Sequence, residues 1–277
     1  MKRLGLLTLI LSFIFSFCNA EGIRIISLSP ATTEILFSLG LGNNIIANTI
    51  WCDYPEQAKQ IKKIGTFSEP NIEMIVSMKP DIVFATGLEQ APVVNKLRAM
   101  DIKVFVSDPE NFQELFNSVI EIGRLTGKQS EAKNLVDKLK EKLDFIGKKT
   151  QNIPDEKKPK VFVEIWGEPL MTAGKGSIID ELIGIAGGLN IAHDTPKPYS
   201  RFSSEVVIDR DPDFIILGYM AGSNTKYDIS KRIGWKNIKA VKNNHIIMDM
   251  TPEMILRPGP RMVEGAEFLH SKFYDER

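Results

Sequence analysis

Two fourteen-residue stretches of this chain follow one plan, at a constant offset of 132 residues. The first is Asn71-Ile72-Glu73-Met74-Ile75-Val76-Ser77-Met78-Lys79-Pro80-Asp81-Ile82-Val83-Phe84. The second is Ser203-Ser204-Glu205-Val206-Val207-Ile208-Asp209-Arg210-Asp211-Pro212-Asp213-Phe214-Ile215-Ile216. Each opens on a helix-capping residue, places Glu two positions later, continues with three apolar residues, and reaches Pro-Asp before an apolar run. A cap satisfies free backbone donors at a helix start. A proline stops the helix, and the apolar run then enters a sheet. A short helix, a stop and a buried strand, used twice, predict two related α/β lobes. Two lobes enclose a cleft, a favoured place for a ligand.

The flanking sequence supports this. Ile23–Leu28 reads as a first strand, and Ser29-Pro30-Ala31-Thr32-Thr33-Glu34 opens a helix that ends before Gly40 and Gly42. Strands over 44–50, 81–85 and 102–106 alternate with helices over 71–78 and 93–100, the pattern of parallel βα units. Residues 111–125 are helical in pattern. A long amphipathic helix then runs to Ile146, with Ser130 as its expected cap and Ala132, Leu135, Val136, Leu139 and Leu143 on one face. The polar stretch from Lys148 to Lys160 reads as a loop. A second α/β run begins at Val161, with a helix over 177–186, strands over 214–217 and 245–248, and a closing helix from Val263. The expected organisation is a leader over 1–20, a first lobe over 21–125, a connecting helix and loop over 126–158, and a second lobe over 159–277.

Lys2 and Arg3, an apolar stretch to Phe17 and the small-x-Ala ending Cys18-Asn19-Ala20 predict a signal peptide cleaved after Ala20. The apolar stretch is shorter than a membrane span. A lipid anchor on Cys18 is the alternative, disfavoured by the bulky Phe17 before it. Cleavage leaves 33 Lys+Arg against 35 Asp+Glu, so no basic footprint for nucleic acid is expected. Only Cys52 then remains, which excludes an internal disulfide and suits a buried thiol.

Catalytic and metal signatures are missing from the sequence. His193, His245 and His270 are scattered, and H-E-x-x-H, C-x-x-C, G-x-S-x-G, G-x-G-x-x-G and Walker A patterns do not occur. No enzyme, resident cofactor or metal site is expected. Gly174-Lys175-Gly176-Ser177 reads as a loop entering a helix. Aromatics in loops carry more information. Trp51 and Tyr54 flank Cys52-Asp53, Phe67 follows Gly65-Thr66, Trp166 follows a strand, and Tyr199 and Phe202 precede the second echoed helix. Several stand just after strands, where open α/β sheets bind ligands. Together they suit a broad, partly apolar ligand.

With these residues assembled, the chain resembles the periplasmic cobalamin and iron-chelate binding proteins of ATP-driven importers, particularly the vitamin B12-binding members. The matching pieces are Arg24–Glu34, Cys52-Asp53-Tyr54-Pro55, Asn71-Ile72-Glu73 through Lys79-Pro80-Asp81-Ile82-Val83, Ser204-Glu205, Asp211-Pro212-Asp213 and Arg257-Pro258-Gly259-Pro260-Arg261. The resemblance implies a monomer with two α/β lobes joined by a single long helix, the helical-backbone form of such proteins. It implies a corrinoid such as cobalamin as the solute, with haem or a ferric siderophore as the alternative. Glu73 and Glu205 match the glutamates with which each lobe docks on an ABC importer permease dimer in the inner membrane. Trp51 and Phe67 match ligand aromatics of the first lobe, and Trp166 and Tyr199 fall near ligand-facing positions of the second. Thr86 and Tyr199 each stand where a B12-binding member has tryptophan. Glu253 falls near an acidic ligand-contacting position.

Overall fold

The computed structural model describes residues 22–87, 89–218, 229–251 and 253–275. The predicted leader, with Cys18 and the cleavage site after Ala20, lies outside the described residues.

The first lobe runs β1 (Ile25–Ser27), α1 (Pro30–Ser38), β2 (Ile45–Asn48), α2 (Ile72–Ser77), β3 (Ile82–Ala85), α3 (Ala91–Ala99) and β4 (Val104–Val106). Its strands form one parallel sheet in the order β2-β1-β3-β4. The strands are short apolar runs because both faces are covered. Ile25, Ile82 and Phe84 pack into one core, and their neighbours Ile26, Val83 and Ala85 into another.

Two helices leave this lobe, α4 (Phe112–Thr126) and α5 (Gln129–Thr150). The start of α5 differs from the expectation. Gly127, at φ +72°, closes α4, and the Lys128 amide donates to the Gly123 carbonyl at 2.7 Å. The chain turns directly into α5 behind Lys128, so Ser130 sits inside the first turn and caps nothing. The helix also continues past Ile146 to Thr150, taking the first residues of the expected loop. Thr150 is buried, and its hydroxyl donates to the Gly147 carbonyl at 3.1 Å.

The second lobe runs β5 (Lys160–Glu164), β6 (Trp166–Gly167), β7 (Leu170–Ala173), α6 (Ile178–Ile185), β8 (Leu189–Asn190), β9 (Tyr199–Arg201), α7 (Ser204–Arg210) and β10 (Phe214–Leu217). It closes with α8 (Lys239–Lys242), β11 (Ile246–Ile247), α9 (Glu253–Leu256) and α10 (Arg261–Tyr274). Its parallel sheet has the order β11-β10-β5-β8. Reversed, the first-lobe order is β4-β3-β1-β2, so each lobe's opening strand lies inside with its next partner at one edge. The second lobe adds an antiparallel sheet, β6-β7-β9.

The sequence echo is a structural repeat. Asn71 and Ser203 cap α2 and α7, accepting from the Met74 and Val206 amides. Lys79 and Asp211 both turn at φ +46°, a left-handed conformation uncommon outside glycine, and hand on to proline. The aspartates that follow have matching roles. Asp81 accepts from the Arg24 amide at 2.7 Å, and Asp213 from the Lys160 amide at 2.9 Å. Their own amides donate back to the same residues' carbonyls. Each aspartate thus locks the foot of one central strand to the foot of its neighbour.

The lobes share a core. One buried cluster holds Leu36 and Phe84 of the first lobe, Leu139, Leu143 and Ile146 of α5, and Val163, Phe214, Leu269 and Phe273 of the second lobe. With 22 residues, α5 is about 33 Å long at 1.5 Å per residue and packs against α4, α6 and α10. Among the described residues, no helix is long and apolar enough to cross a membrane.

Candidate functional site

A cavity of about 370 Å³ opens where the strand order of the first sheet reverses between β1 and β3, beyond the C-terminal ends of β1, β3 and β4. From β1 come Ser29, Pro30 and Ala31; from β3, Thr86 and Glu89; from β4, Ser107, Asp108 and Pro109. Trp51 descends from the loop after β2, and Phe67 and Ser68 from the loop before α2. The second lobe adds Glu253, Leu256, Arg257 and Pro258.

The floor is rigid because its polar groups are satisfied. Ser29 caps α1 by accepting from the Thr32 amide. The Thr33 hydroxyl, at 2.8 Å from the Ser27 oxygen and 2.9 Å from the Ser29 carbonyl, ties the turn to β1. Gln90 is fully buried and holds three loops at once. Its amide nitrogen donates to the carbonyls of Leu28 at 3.0 Å and Phe67 at 2.8 Å, and its oxygen accepts from the Thr86 amide at 2.9 Å. Phe67 and Thr86 owe their positions to this side chain, which the sequence did not single out.

The second-lobe wall is braced by charge. Arg261 makes a bidentate pair with Glu34 of α1, at 2.6 and 2.8 Å, and its guanidinium lies 4.0 Å from the centre of the Tyr54 ring. Arg257 donates to Asp53 at 2.6 Å, stands 3.6 Å from Glu34 and 3.7 Å from Glu253, and reaches the Trp51 carbonyl at 3.4 Å. Glu34 is 3% exposed, and burial pushes its carboxyl up against the opposing pull of Arg261 and Arg257. Burial also pushes the Asp53 carboxyl upward, but the hydrogen bond and charge of Arg257 outweigh it and hold that carboxyl below its usual range. Arg257 therefore fixes the loop that carries Trp51.

Of the residues singled out from sequence, Trp51, Phe67, Thr86 and Glu253 meet at this cavity. Tyr54 stands behind it, under Arg261 and on a neighbouring groove with Glu34. Trp166 and Tyr199 are not among the cavity's described lining. They lie on β6 and β9 of the antiparallel sheet, 52% and 44% exposed. The Trp166 ring nitrogen donates to the Glu168 carbonyl at 2.8 Å. Although the residue as a whole is exposed, partial loss of water around its hydroxyl, and the Glu110 carboxylate on the first-lobe side, push the Tyr199 phenol up. Glu73 and Glu205 are exposed at equivalent positions in the first turns of α2 and α7. A hydrogen bond from the Ser203 hydroxyl holds the Glu205 carboxyl below its usual range.

The remaining candidates are structural. His245 stacks on Phe214, with ring centres 4.7 Å apart, and His193 lies 2.9 Å from Asp180. Ser177 caps α6 at the end of the Gly174–Gly176 loop. Cys52 is fully buried, and burial raises its thiol. Among the described residues no cluster of three or more His, Cys, Asp or Glu side chains could hold a metal ion. The walls offer aromatic faces, hydroxyls and carboxylates to a guest, an arrangement for binding.

The model of the periplasmic binding protein family matches residues 25–251. An uncharacterised substrate-binding lipoprotein of an ABC transporter from Bacillus subtilis is 32% identical over 258 residues, 91% of this chain and 80% of that protein. The vitamin B12-binding protein of Photorhabdus laumondii is 29% identical over 271 residues, 96% and 94% of the two chains. A solved structure of a possible iron-binding periplasmic solute-binding protein from Staphylococcus epidermidis superposes with a TM-score of 0.77 at 32% identity, covering 91% of this chain and 98% of the other. S. aureus IsdE in complex with haem shares the fold, with a TM-score of 0.78 at 24% identity over 91% and 99% of the chains. The chain belongs to the periplasmic binding protein family, as a class III solute-binding component of an ABC importer.

Proposed function

We propose that the protein captures a compact, coordinatively saturated metal chelate, a ferric siderophore in the first instance, and delivers it to an ABC importer permease dimer. The observation that carries this reading is the chemistry of the cavity wall. Trp51 and Phe67 supply aromatic surface, and Ser29, Ser68, Thr86 and Ser107 supply hydroxyls. Haem iron is held by His, Cys, Met or Tyr. None of these is among the described lining residues, so the wall favours a metal whose coordination is already filled by its chelator. At about 370 Å³ the cavity lies near the small end of ligand pockets, which favours a compact chelate. The iron-binding name of the Staphylococcus epidermidis protein points the same way.

A corrinoid is the second reading, favoured by the vitamin B12-binding relative. It too has a filled metal coordination sphere, and its ring would lie against Trp51 with Phe67 beside it. In both readings Glu73 and Glu205 present one carboxylate per lobe to the permease, where complementary charge orients docking. Capture takes place in the periplasm after export.

Titration of the purified protein with ferric siderophores, cyanocobalamin and haemin, followed by tryptophan quenching, separates these cargoes. A ferric siderophore is expected to bind below about 10 μM, near 7 kcal/mol. Failure of every chelate at that level would overturn the proposal. For docking, the double reversal Glu73→Lys and Glu205→Lys is expected to lower uptake in cells by at least about tenfold with solute affinity unchanged. Unimpaired uptake would remove both residues from the docking face.

A further inference from the structure

We propose that the cavity selects its chelate by charge, accepting neutral or cationic complexes and turning away polyanionic ones, with Glu89, Asp108 and Glu253 as the selecting groups. The inference rests on the chelate reading above and narrows it. These three carboxylates line the cavity, and Arg257 is the one cation among its described lining residues. Arg257 is already committed. Its guanidinium is bonded to Asp53 at 2.6 Å, with Glu34 and Glu253 at 3.6 and 3.7 Å. It neutralises carboxylates already present and has little left for an anionic guest.

Two of the selecting groups are fixed in place. The Glu89 carboxylate accepts from the Ser68 hydroxyl at 2.8 Å, and the Asp108 carboxylate accepts from the Gly87 amide. Both Glu89 and Asp108 are exposed, so water screens them. A bulky guest expels that water, and the same charges then act through a medium of lower polarity. The opposing influence is the start of α1, whose positive end favours an anion although its first residue, Pro30, has no amide hydrogen to offer. A helix start is equivalent to about half a positive charge, and one of its amides, that of Thr32, is already capped by Ser29. The carboxylates outweigh it.

The test uses ferric complexes that differ in charge: cationic ferrioxamine B, neutral ferrichrome and trianionic ferric enterobactin, with dianionic haemin and neutral cyanocobalamin beside them. Each is titrated into the wild-type protein and into the double variant Glu89→Gln, Asp108→Asn, which leaves the Arg257 network untouched. At least one neutral or cationic complex is expected to bind about tenfold or more tightly than either anionic one, a difference of about 1.4 kcal/mol. The double variant is expected to narrow that gap by at least about threefold, with its thermal midpoint unchanged. Binding of ferric enterobactin or haemin as tight as that of the best neutral or cationic complex would overturn charge selection and leave the chelate reading standing. An unchanged gap in the double variant would remove Glu89 and Asp108 as the selecting groups. Failure of all five compounds to bind would overturn the chelate reading, and charge selection with it.

Discussion

The two lobes share a frame and use their strand ends differently. In the first, β1 leads through a short polar turn into α1, and the ends of β1, β3 and β4 open onto the cavity. In the second, β5 leads into the β6–β7 hairpin, which pairs with β9 before the chain rejoins the common plan. Where β1 is followed by Leu28, the equivalent Glu164 ends β5 fully buried and is gripped by Arg232 at 2.6 and 2.7 Å. The strand ends of the first lobe open onto the candidate cavity, whereas those of the second lead into the hairpin and the Glu164–Arg232 pair. The frame is thus repeated, while the segments between strands and helices set what stands at the strand ends of each copy.

The sharpest way to break this comparison is to remove the brace that the second lobe gives the first. Arg261→Ala leaves Glu34 buried beside α1 without its bidentate partner. Removing one member of a buried pair typically costs about 3–5 kcal/mol, and a loss of that order is expected in urea unfolding. A loss below about 1 kcal/mol would mean that the pair behaves like a surface contact. A smaller effect separates the aromatics. Trp51→Ala is expected to weaken binding of the ferric chelate about tenfold, a typical magnitude for a lost aromatic contact, whereas Trp166→Ala should change it less than about twofold. Equal losses would bring the antiparallel sheet into the site and make the lobes equivalent after all. The mildest test concerns the shared frame. Asn71→Ala and Ser203→Ala each remove a helix cap and should each cost about 1 kcal/mol. Costs differing by more than that would show that the two copies of the motif bear unequal weight.

Much of this was readable in the sequence. The Pro80-Asp81 and Pro212-Asp213 echo disclosed the repeat, because a cap, a stop and a strand are set by neighbouring residues. Trp51, Phe67, Thr86 and Glu253 were placed together by a family pattern, and the structure brings them to one cavity. What escaped depended on residues far apart in the chain. Arg257 meets Asp53 across 204 positions, and Gln90 draws on the backbones of Leu28, Phe67 and Thr86. The Arg257–Arg261 piece carried a family match but not this partner, and no local pattern marks Gln90. Trp166 and Tyr199 show a third case. Trp166 follows a strand end, as an aromatic at a cleft would, but both residues stand on the antiparallel sheet rather than in the described lining of the cavity, and Tyr199 lies within reach of Glu110 on the first-lobe side. Ser130 had the chemistry of a cap, yet the left-handed turn at Gly127 began the helix before it.

The core that continues through α5 limits how news of an occupied cleft can travel. To swing the lobes widely apart, the protein would have to open the cluster that holds Leu36 and Phe84 of the first lobe together with Val163 and Phe214 of the second, and wet part of it. At about 25 cal/mol per Å², exposing even about 400 Å² would cost on the order of 10 kcal/mol. A guest held at 1 μM brings about 8 kcal/mol in all, and a ligand shifts an equilibrium only by its difference in affinity for the two states. Full and ligand-free molecules are therefore expected to keep nearly the same span between their lobes, which small-angle scattering with and without the guest would check. A receptor that tells them apart would sense the filled mouth itself, as a finger feels whether a ring holds its stone.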